Sequence, residues 1–305
     1  MNGVKLFWNS QYYAVCMGLL CRIAACIEPG DAPVYAVEFE RIRQDFRRTF
    51  VDAATGSCGN GTGGANAFAA LLDEMSASLS SQGASANTTP PVSTLLAADA
   101  LRRDTGIFGT PVMLEALMCN NLHRTAFELM TSVEYPSHGY MLENGATTLW
   151  ENWSGTHGTH CHPMFGSVMS WMPRWVAGLS QAVDGKAFES VIIQPWKGSE
   201  IAWASLQFHS VRGPFALKWR KAQREISLHV ELPPGTSATL RIPVPPDVNG
   251  DPQLFLDGSQ VPVHQDVAGA VTPLPAGVQL ALAGVAPDEV MVQITSGTYD
   301  FVLRR

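Results

Sequence analysis

The residue pattern of this 305-residue chain changes near residue 182, and that change limits what the chain can fold into. Before it, apolar residues recur every three or four positions, which is the period of a helix with one buried face. After it, apolar and polar residues alternate in short runs, which is the period of a half-buried strand. The sequence therefore predicts a helical domain over residues 1–182 and a β-domain over residues 183–305.

The clearest helical signal lies in residues 31–50. Aromatic and aliphatic side chains recur there at spacings of three and four, while most arginines lie off that stripe. Asp31 suits a helix cap and Pro33 suits a first turn. Further helices are predicted at residues 10–28, 64–80, 91–103, 109–119, 121–132 and 164–179.

The second part of the chain reads as short strands at close, regular spacing. Twelve of the twenty prolines lie there, and turn signals at 233–235, 247–250 and 257–258 separate the strands. Strands are predicted at residues 190–193, 226–232, 238–242, 253–256, 278–282 and 289–294. No helix-length periodic segment interrupts them, so the pattern predicts a β-sandwich.

Composition and charge restrict the class of partner. Hydrophobic residues make up 46% and charged residues 15%, so the chain can bury a sizeable core. The net charge of −7 argues against nucleic acid, because phosphate binding needs a basic face. A neutral or weakly polar ligand fits this surface better.

The apolar stretch from Tyr12 to Ile27 resembles a membrane segment at first sight. Arg22 interrupts it, and the stretch is short for a bilayer span, so a buried helix is expected instead. We therefore expect no membrane partner and no signal peptide. The sequence does not identify the compartment, and the cytoplasm is only the default.

The densest group of polar and aromatic residues lies between residues 135 and 166. Glu151 stands there between Trp150 and Trp153. Aromatic neighbours lower the local dielectric constant, so we expect the pKa of this carboxyl group to be raised toward the working range of a general base. The two indole rings also offer flat apolar faces to a sugar ring. The same pattern also fits a partly buried structural glutamate.

The run His157-Gly-Thr-His160-Cys161-His162 contains residue types that bind zinc. Adjacent residues rarely converge on one ion, and no HExxH helix is present. We therefore predict hydrogen-bonding histidines and no metal. A nucleophilic pair of Cys161 with a histidine also lacks the context of a catalytic triad.

Several segments carry a specific family resemblance. The segment GYMLENGATTLWENW, Gly139 to Trp153, resembles the signature stretch of glycoside hydrolase family 78, the inverting α-L-rhamnosidases. Residues 162–179 resemble the helix that follows it, and TGIFGT at 105–110 matches an active-site turn. Residues 213–219, 232–238 and 296–301 resemble the terminal β-domain of that family.

The resemblance implies an (α/α)6 six-hairpin barrel, incomplete in this chain, followed by an antiparallel β-sandwich. It also implies that Glu151 is the general base and that His162 contacts the sugar. Trp150 and Trp153 would line the site, and Glu143 is the other carboxylate of the motif. The implied partners are rhamnose-containing glycosides, and no cofactor is implied.

The chain also departs from the family pattern. The general acid of the family lies in an upstream RDExLGW motif, which this sequence lacks. The predicted helices are fewer than six hairpins require, which suggests the C-terminal part of a barrel. Ala65-Asn66 stand where relatives tend to carry Gln-Thr. Two alternatives to an enzyme therefore remain: a non-catalytic carbohydrate-binding remnant and an inactive structural fragment.

Overall fold

The computed structural model describes residues 2–59, 61–79, 105–182, 185–245, 251–261, 277–280 and 288–304. The chain divides into two compact units, Met1–Trp171 and Met172–Arg305. The domain boundary expected after residue 182 stays a prediction. The predicted helix at 91–103 and the predicted turn at 247–250 lie outside the described residues.

The first unit is helical, as predicted. Its helices are α1 (Asn2–Ile27), α2 (Ala32–Phe50), α3 (Gly63–Leu79), α4 (Gly109–Cys119), α5 (His123–Thr131) and α6 (His138–Glu143). The unit closes with a 3₁₀ turn, Pro163–Ser167, and a short helix α7, Val168–Trp171. The five helices predicted at 10–28, 31–50, 64–80, 109–119 and 121–132 are confirmed, although α1 begins at Asn2, well before the predicted residue 10. The short α6 was not predicted.

The predicted helix over 164–179 is wrong as a single element. After α7 the backbone continues as a π-helical turn, Met172–Ala177, and a strand begins at Leu179. Pro173 has no backbone N–H to give to a regular helix, and Gly178 has a positive φ of 94°. These two residues explain why the regular helix stops.

The core of the first helices is aromatic. The stripe predicted on α2 is buried at Phe39, Ile42 and Phe46. Phe7 of α1 packs on Phe46 with ring centroids 5.6 Å apart, and Leu72 of α3 belongs to the same cluster. Burial of such side chains supplies most of the free energy that holds amphipathic helices together.

A partly buried ion network joins α2 to α3. Arg43 and Arg47 of α2 both contact the carboxylate of Asp73 on α3, at 2.6 and 2.5 Å. Arg43 also pairs with Glu40 at 2.7 Å, and its hydrogen bond lowers the pKa of Glu40 to about 2. The carboxylates of Asp73 and Glu40 therefore together balance two guanidinium groups that are largely shielded from water.

The helix α1 is apolar on all sides. Its segment Leu6–Ile27 is long and apolar enough to cross a membrane, by length and composition only. Phe7, Ala14 and Cys21 face the core, and 33% of the most apolar window is buried. Large apolar side chains of the same helix are exposed: Leu6, Tyr12, Tyr13, Leu19, Leu20, Ile23 and Ile27. The expected buried helix is thus buried on one side, and the expected absence of a membrane partner stays a prediction.

The second unit is built from nine described strands. They are β1 (Leu179–Gln181), β2 (Ser190–Ile193), β3 (Trp203–Ser210), β4 (Gly213–Ala222), β5 (Glu225–Pro243), β6 (Gln253–Leu256), β7 (Ser259–Val261), β8 (Val278–Leu280) and β9 (Glu289–Arg304). The predictions at 190–193 and 253–256 are confirmed at their bounds. The strands β1, β3, β4 and β7 were not predicted.

Two long strands, β5 and β9, organise the sheet. They pair antiparallel along their length, with a register shift between Leu232 and Ser237. Before the shift β5 also pairs with β4, and after it β5 pairs with β2, in parallel. The turn predicted at 233–235 is therefore wrong, because the two prolines lie inside β5. Proline is tolerated in a strand at such an irregularity, and strands pass between layers at bends of this kind.

Alternation along β5 and β9 buries one face of the pair. Ile226, Leu228 and Val230 of β5 are buried, as are Phe301 and Leu303 of β9. Trp219 of β4 is also buried, and its indole N–H donates to the Ala177 carbonyl at 3.1 Å. The predicted two-residue alternation of apolar residues is therefore the alternation of buried residues along these strands.

We expect the Asp73→Asn substitution to lower the free energy of unfolding by about 1–3 kcal/mol. It preserves the side-chain shape but leaves two partly buried guanidinium groups without their shared charge. The matched control is Asp45→Asn, which breaks exposed pairs with Arg41 and Arg48. Exposed pairs are worth about 0–1 kcal/mol, so urea denaturation should separate the two variants. Equal losses would contradict a structural role for the α2–α3 network.

A second prediction concerns His229, which lies between Glu231 at 3.1 Å and Asp300 at 2.8 Å. These hydrogen bonds raise the pKa of His229 above its usual value. A raised folded-state pKa stabilises the fold fully below the unfolded value and is lost as pH rises through the folded value. The stability difference between the wild type and His229→Gln should thus be larger at about pH 6 than at about pH 9. Thermal unfolding of both proteins at both pH values measures this difference. A difference that does not change with pH would refute a stabilising interaction of His229 with Glu231 and Asp300.

Candidate active site

The segment from Leu149 to His162 is a loop closed on itself by backbone hydrogen bonds. The His162 N–H donates to the Leu149 carbonyl at 2.8 Å, and the Glu151 N–H donates to the Thr159 carbonyl at 2.9 Å. The Thr148 hydroxyl also donates to the His160 carbonyl. This closure brings together Glu151 and His162, the two residues that the family motif singled out.

The Glu151 carboxylate is held through one of its two oxygens. Oε2 accepts the Thr159 N–H at 2.8 Å and the Thr159 hydroxyl at 3.2 Å, and His162 Nδ1 lies 3.9 Å away. Within the described part of the chain, Oε1 has no hydrogen-bond partner. The side chain is 40% exposed, so water can reach the carboxylate.

The expected rise in the pKa of Glu151 is wrong. The Thr159 backbone N–H, followed by the Thr159 hydroxyl, holds the pKa of Glu151 below its usual value. These donors stabilise the charged form, and the exposed carboxylate keeps its hydration. Glu151 is therefore ionised at neutral pH, which is the protonation state that a general base needs.

The indole rings beside Glu151 pack into the protein. Trp150 is buried and stacks on His160 with ring centroids 5.0 Å apart. Trp153 packs on Phe165 at 4.0 Å, and its N–H donates to the Thr105 carbonyl at 2.6 Å. Both rings belong to one apolar cluster with Met141. Desolvation raises the pKa of Glu151 less than the Thr159 hydrogen bonds lower it. The expected contact of the two rings with substrate stays a prediction.

The remaining candidates have contacts of their own. Glu143 is the exposed last residue of α6, so its proposed substrate contact stays a prediction. His160 Nε2 pairs with the Gly155 carbonyl at 2.8 Å, and His157 Nδ1 pairs with the Thr156 hydroxyl at 3.0 Å. Among the described residues, no three His, Cys, Asp or Glu side chains form a potential metal site. The predicted absence of zinc stays a prediction.

A pocket of about 530 Å³ opens beside the turn that carries Thr105. Aromatic side chains supply much of its wall: Trp8 and Tyr12 from α1, and Phe108 from the turn. The Trp153 N–H bond to the Thr105 carbonyl ties this turn to the Glu151 loop. The TGIFGT segment was expected as an active-site turn. Tyr12 was read only as part of an apolar helix, and Trp8 lay outside every predicted element.

Asn66 has a structural role at the start of α3. It is buried, and its side-chain oxygen accepts the Cys58 N–H at 2.7 Å. The neighbouring Ala65 carbonyl accepts a bond from the Gln11 amide at 3.4 Å. Where relatives tend to carry Gln-Thr, this chain therefore has Asn66, whose side chain anchors the preceding loop through Cys58.

Gly158 gives the loop the room that Glu151 needs. Its φ of +78° lies in the left-handed region. A β-carbon there would stand 2.7 Å from Glu151 Oε2. Gly145, with a φ of +82°, has open space in the same direction. The two glycines share a backbone conformation and differ in whether they touch the carboxylate.

Comparison with known proteins identifies the family. Residues 4–176 match the bacterial α-L-rhamnosidase six-hairpin glycosidase domain, which is more than half of the chain. This chain belongs to the bacterial α-L-rhamnosidase family. Residues 178–253 match the bacterial α-L-rhamnosidase C-terminal domain. The family recognised from the motifs is thus confirmed, as is the fold class of a six-hairpin domain followed by a β-domain.

Individual relatives agree with this assignment. An α-L-rhamnosidase of Streptomyces avermitilis is 28% identical over 77% of this chain and 23% of that protein. Its structure complexed with L-rhamnose has a TM-score of 0.70 at 25% identity, covering 96% of this chain and 26% of that one. The α-L-rhamnosidase from Dictyoglumus thermophilum shares the fold, with a TM-score of 0.75 at 20% identity over 97% and 32%. The chain therefore spans a third or less of the length of these relatives.

We expect Gly145→Ala and Gly158→Ala to destabilise the fold similarly, by about 1–2 kcal/mol, because alanine is strained in the left-handed region. Only Gly158→Ala should displace the Glu151 carboxylate from Thr159. Carbon-13 NMR of a chain labelled at the glutamate carboxyl carbons measures this, through a higher pKa of Glu151 in that variant alone. Identical Glu151 titrations in both variants would contradict the contact.

Proposed function

We propose that the site centred on Glu151 hydrolyses terminal α-L-rhamnose from rhamnose-containing glycosides with inversion. The observation that carries the proposal is the ionised and partly exposed Glu151 carboxylate, fixed through Oε2 by Thr159 next to His162. Membership of the α-L-rhamnosidase family supplies the reaction class.

An inverting hydrolase needs one carboxylate that activates a water molecule on the face of the sugar opposite the leaving group. In this proposal Oε1 of Glu151 takes a proton from that water, while Oε2 stays bound to Thr159. Two bonds to Oε2 fix the direction in which Oε1 points. The base is therefore oriented before substrate binds, which is the form of preorganisation that accelerates a reaction.

His162 and the aromatic pocket would orient the sugar. His162 Nδ1 lies 3.9 Å from Glu151 Oε2, so a sugar bound by the base is also within reach of the imidazole. The pocket presents Trp8, Tyr12 and Phe108, and it is joined to the Glu151 loop through Trp153 and Thr105. Aromatic faces suit the apolar C–H side of a sugar ring.

The departing oxygen also needs a proton in most glycoside hydrolysis. The sequence lacks the RDExLGW motif in which the family carries its general acid. A substrate whose leaving group is an acidic phenol depends least on that proton. Aryl α-L-rhamnosides are therefore the substrates that report most directly on Glu151.

A carbohydrate-binding role without turnover is the second candidate, because a pocket lined by Trp8, Tyr12 and Phe108 suits a sugar whether or not the sugar is hydrolysed. Loss of a general acid typically lowers the rate by roughly 10²–10⁴-fold. A binding protein would retain L-rhamnose in the pocket but would not release a nitrophenol from its glycoside. Calorimetry with L-rhamnose and an aryl-rhamnoside assay on the same preparation separate the two candidates.

We expect Glu151→Gln to lower kcat on 2,4-dinitrophenyl α-L-rhamnoside by at least roughly 10²-fold, with KM little changed. The amide keeps the shape of the side chain but cannot take a proton from water. The control is Glu128→Gln, which neutralises an exposed glutamate paired with Arg124 on α5 and should keep normal rates. Near-normal turnover in Glu151→Gln would refute the assignment, and a selective loss in Glu143→Gln would transfer the role to that residue.

A further inference from the structure

The Thr159 hydroxyl lies between the two candidate site residues. Its Oγ1 is 3.2 Å from Glu151 Oε2 and 3.3 Å from His162 Nδ1. A threonine hydroxyl has one proton to donate and lone pairs with which to accept. One oxygen atom therefore has to satisfy a carboxylate and an imidazole nitrogen with different roles toward each.

The ionised carboxylate decides how these roles are divided. It can only accept hydrogen bonds, so the single Thr159 proton must point to Glu151 Oε2. A lone pair of Oγ1 is then left for His162 Nδ1, and that nitrogen must carry a proton to form the bond. Proton positions follow here from the hydrogen-bond network. In its neutral form, the His162 ring is thereby fixed as the Nδ1–H tautomer.

The other ring nitrogen of His162 is consequently a bare acceptor. Nε2 is buried and has no hydrogen-bond partner among the described residues. Buried polar atoms are normally paired, so an unpaired one in a candidate site calls for a ligand group. The group that fits an unprotonated imidazole nitrogen is a hydroxyl that donates its proton.

We propose that Thr159 is a positioning residue that orders Glu151 and His162 through one hydroxyl group. It directs Glu151 Oε1 toward water, and it sets His162 Nε2 to accept a hydrogen bond from a sugar hydroxyl. This inference rests on the proposed function for the identity of the ligand. The arrangement of protons within the protein does not depend on turnover.

Three variants of the complete 305-residue chain test whether the Thr159 hydroxyl orders Glu151 and His162. Thr159→Val removes the hydroxyl at nearly constant volume and keeps the backbone N–H that binds Glu151. Thr159→Ser restores the hydroxyl. Thr156→Val is the matched control, because Thr156 lies in the same loop and its hydroxyl contacts His157 Nδ1 instead.

Two NMR measurements report on the protons directly. Long-range proton–nitrogen spectra identify which nitrogen of His162 is protonated, and carbon-13 titration follows the Glu151 carboxyl group. We expect the Nδ1–H tautomer in the wild type, in Thr159→Ser and in Thr156→Val. Thr159→Val should lose that preference and raise the pKa of Glu151, because a donor to the charged form is gone.

Kinetics supply a third readout. With an aryl α-L-rhamnoside, Thr159→Val should lower kcat/KM by roughly tenfold, about the effect of one lost hydrogen bond, and move the acidic limb of the pH profile upward. Thr159→Ser should recover both. A residue that only stabilised the fold would change the unfolding temperature and leave the pH profile in place.

The proposal is overturned if wild-type His162 carries its proton on Nε2, or if Thr159→Val leaves both the tautomer and the Glu151 titration unchanged. The wild-type tautomer decides the matter even if Thr159→Val fails to fold. Failure of the proposed function looks different: the predicted tautomer is observed, but no rhamnoside is hydrolysed.

Discussion

Two backbone hydrogen bonds, from His162 to Leu149 and from Glu151 to Thr159, make the candidate site possible. Without them the two side chains would belong to an open stretch of chain, and nothing local would bring them within 3.9 Å. The closed loop needs a left-handed residue without a side chain at Gly158, where the carboxylate leaves no space for a β-carbon. The chemistry of the site thus depends on the backbone geometry of one short loop.

The aromatic residues of the loop connect it to the helical unit. Trp153 donates to the Thr105 carbonyl and packs on Phe165, so the loop and the pocket turn cannot move independently without breaking a buried contact. Glu151 itself remains in a hydrated, donor-rich environment. Different residues therefore provide the packing and control the ionisation. The indole rings fix the position of the base, and they do not raise its pKa.

Sequence patterns predicted the elements whose signals are local. The stripe on α2 and the alternation in β9 identify a buried face whatever the partner is. The Pro-Pro-Gly segment gives a turn signal, but it lies at a register shift inside β5, and β5 pairs with β9 on both sides of that shift. Residues 203–222 form a hairpin that short-range alternation did not reveal. The motif located Glu151, but the direction of its pKa shift depends on Thr159, eight positions away. That contact requires a loop closure that no periodic pattern in the sequence predicts.

The distinction between a hydrolase and a binding protein lies in the carboxylate and not in the pocket. An aromatic pocket holds a sugar equally well in either case, because apolar contact is made in the ground state and the transition state alike. A carboxylate with one oxygen tethered by Thr159 and the other free has a more restricted use. In the proposed reaction, the tether stabilises the charged form and the free oxygen takes the proton from water. An interaction of that kind gains strength as water loses its proton, so it favours the transition state over simple binding.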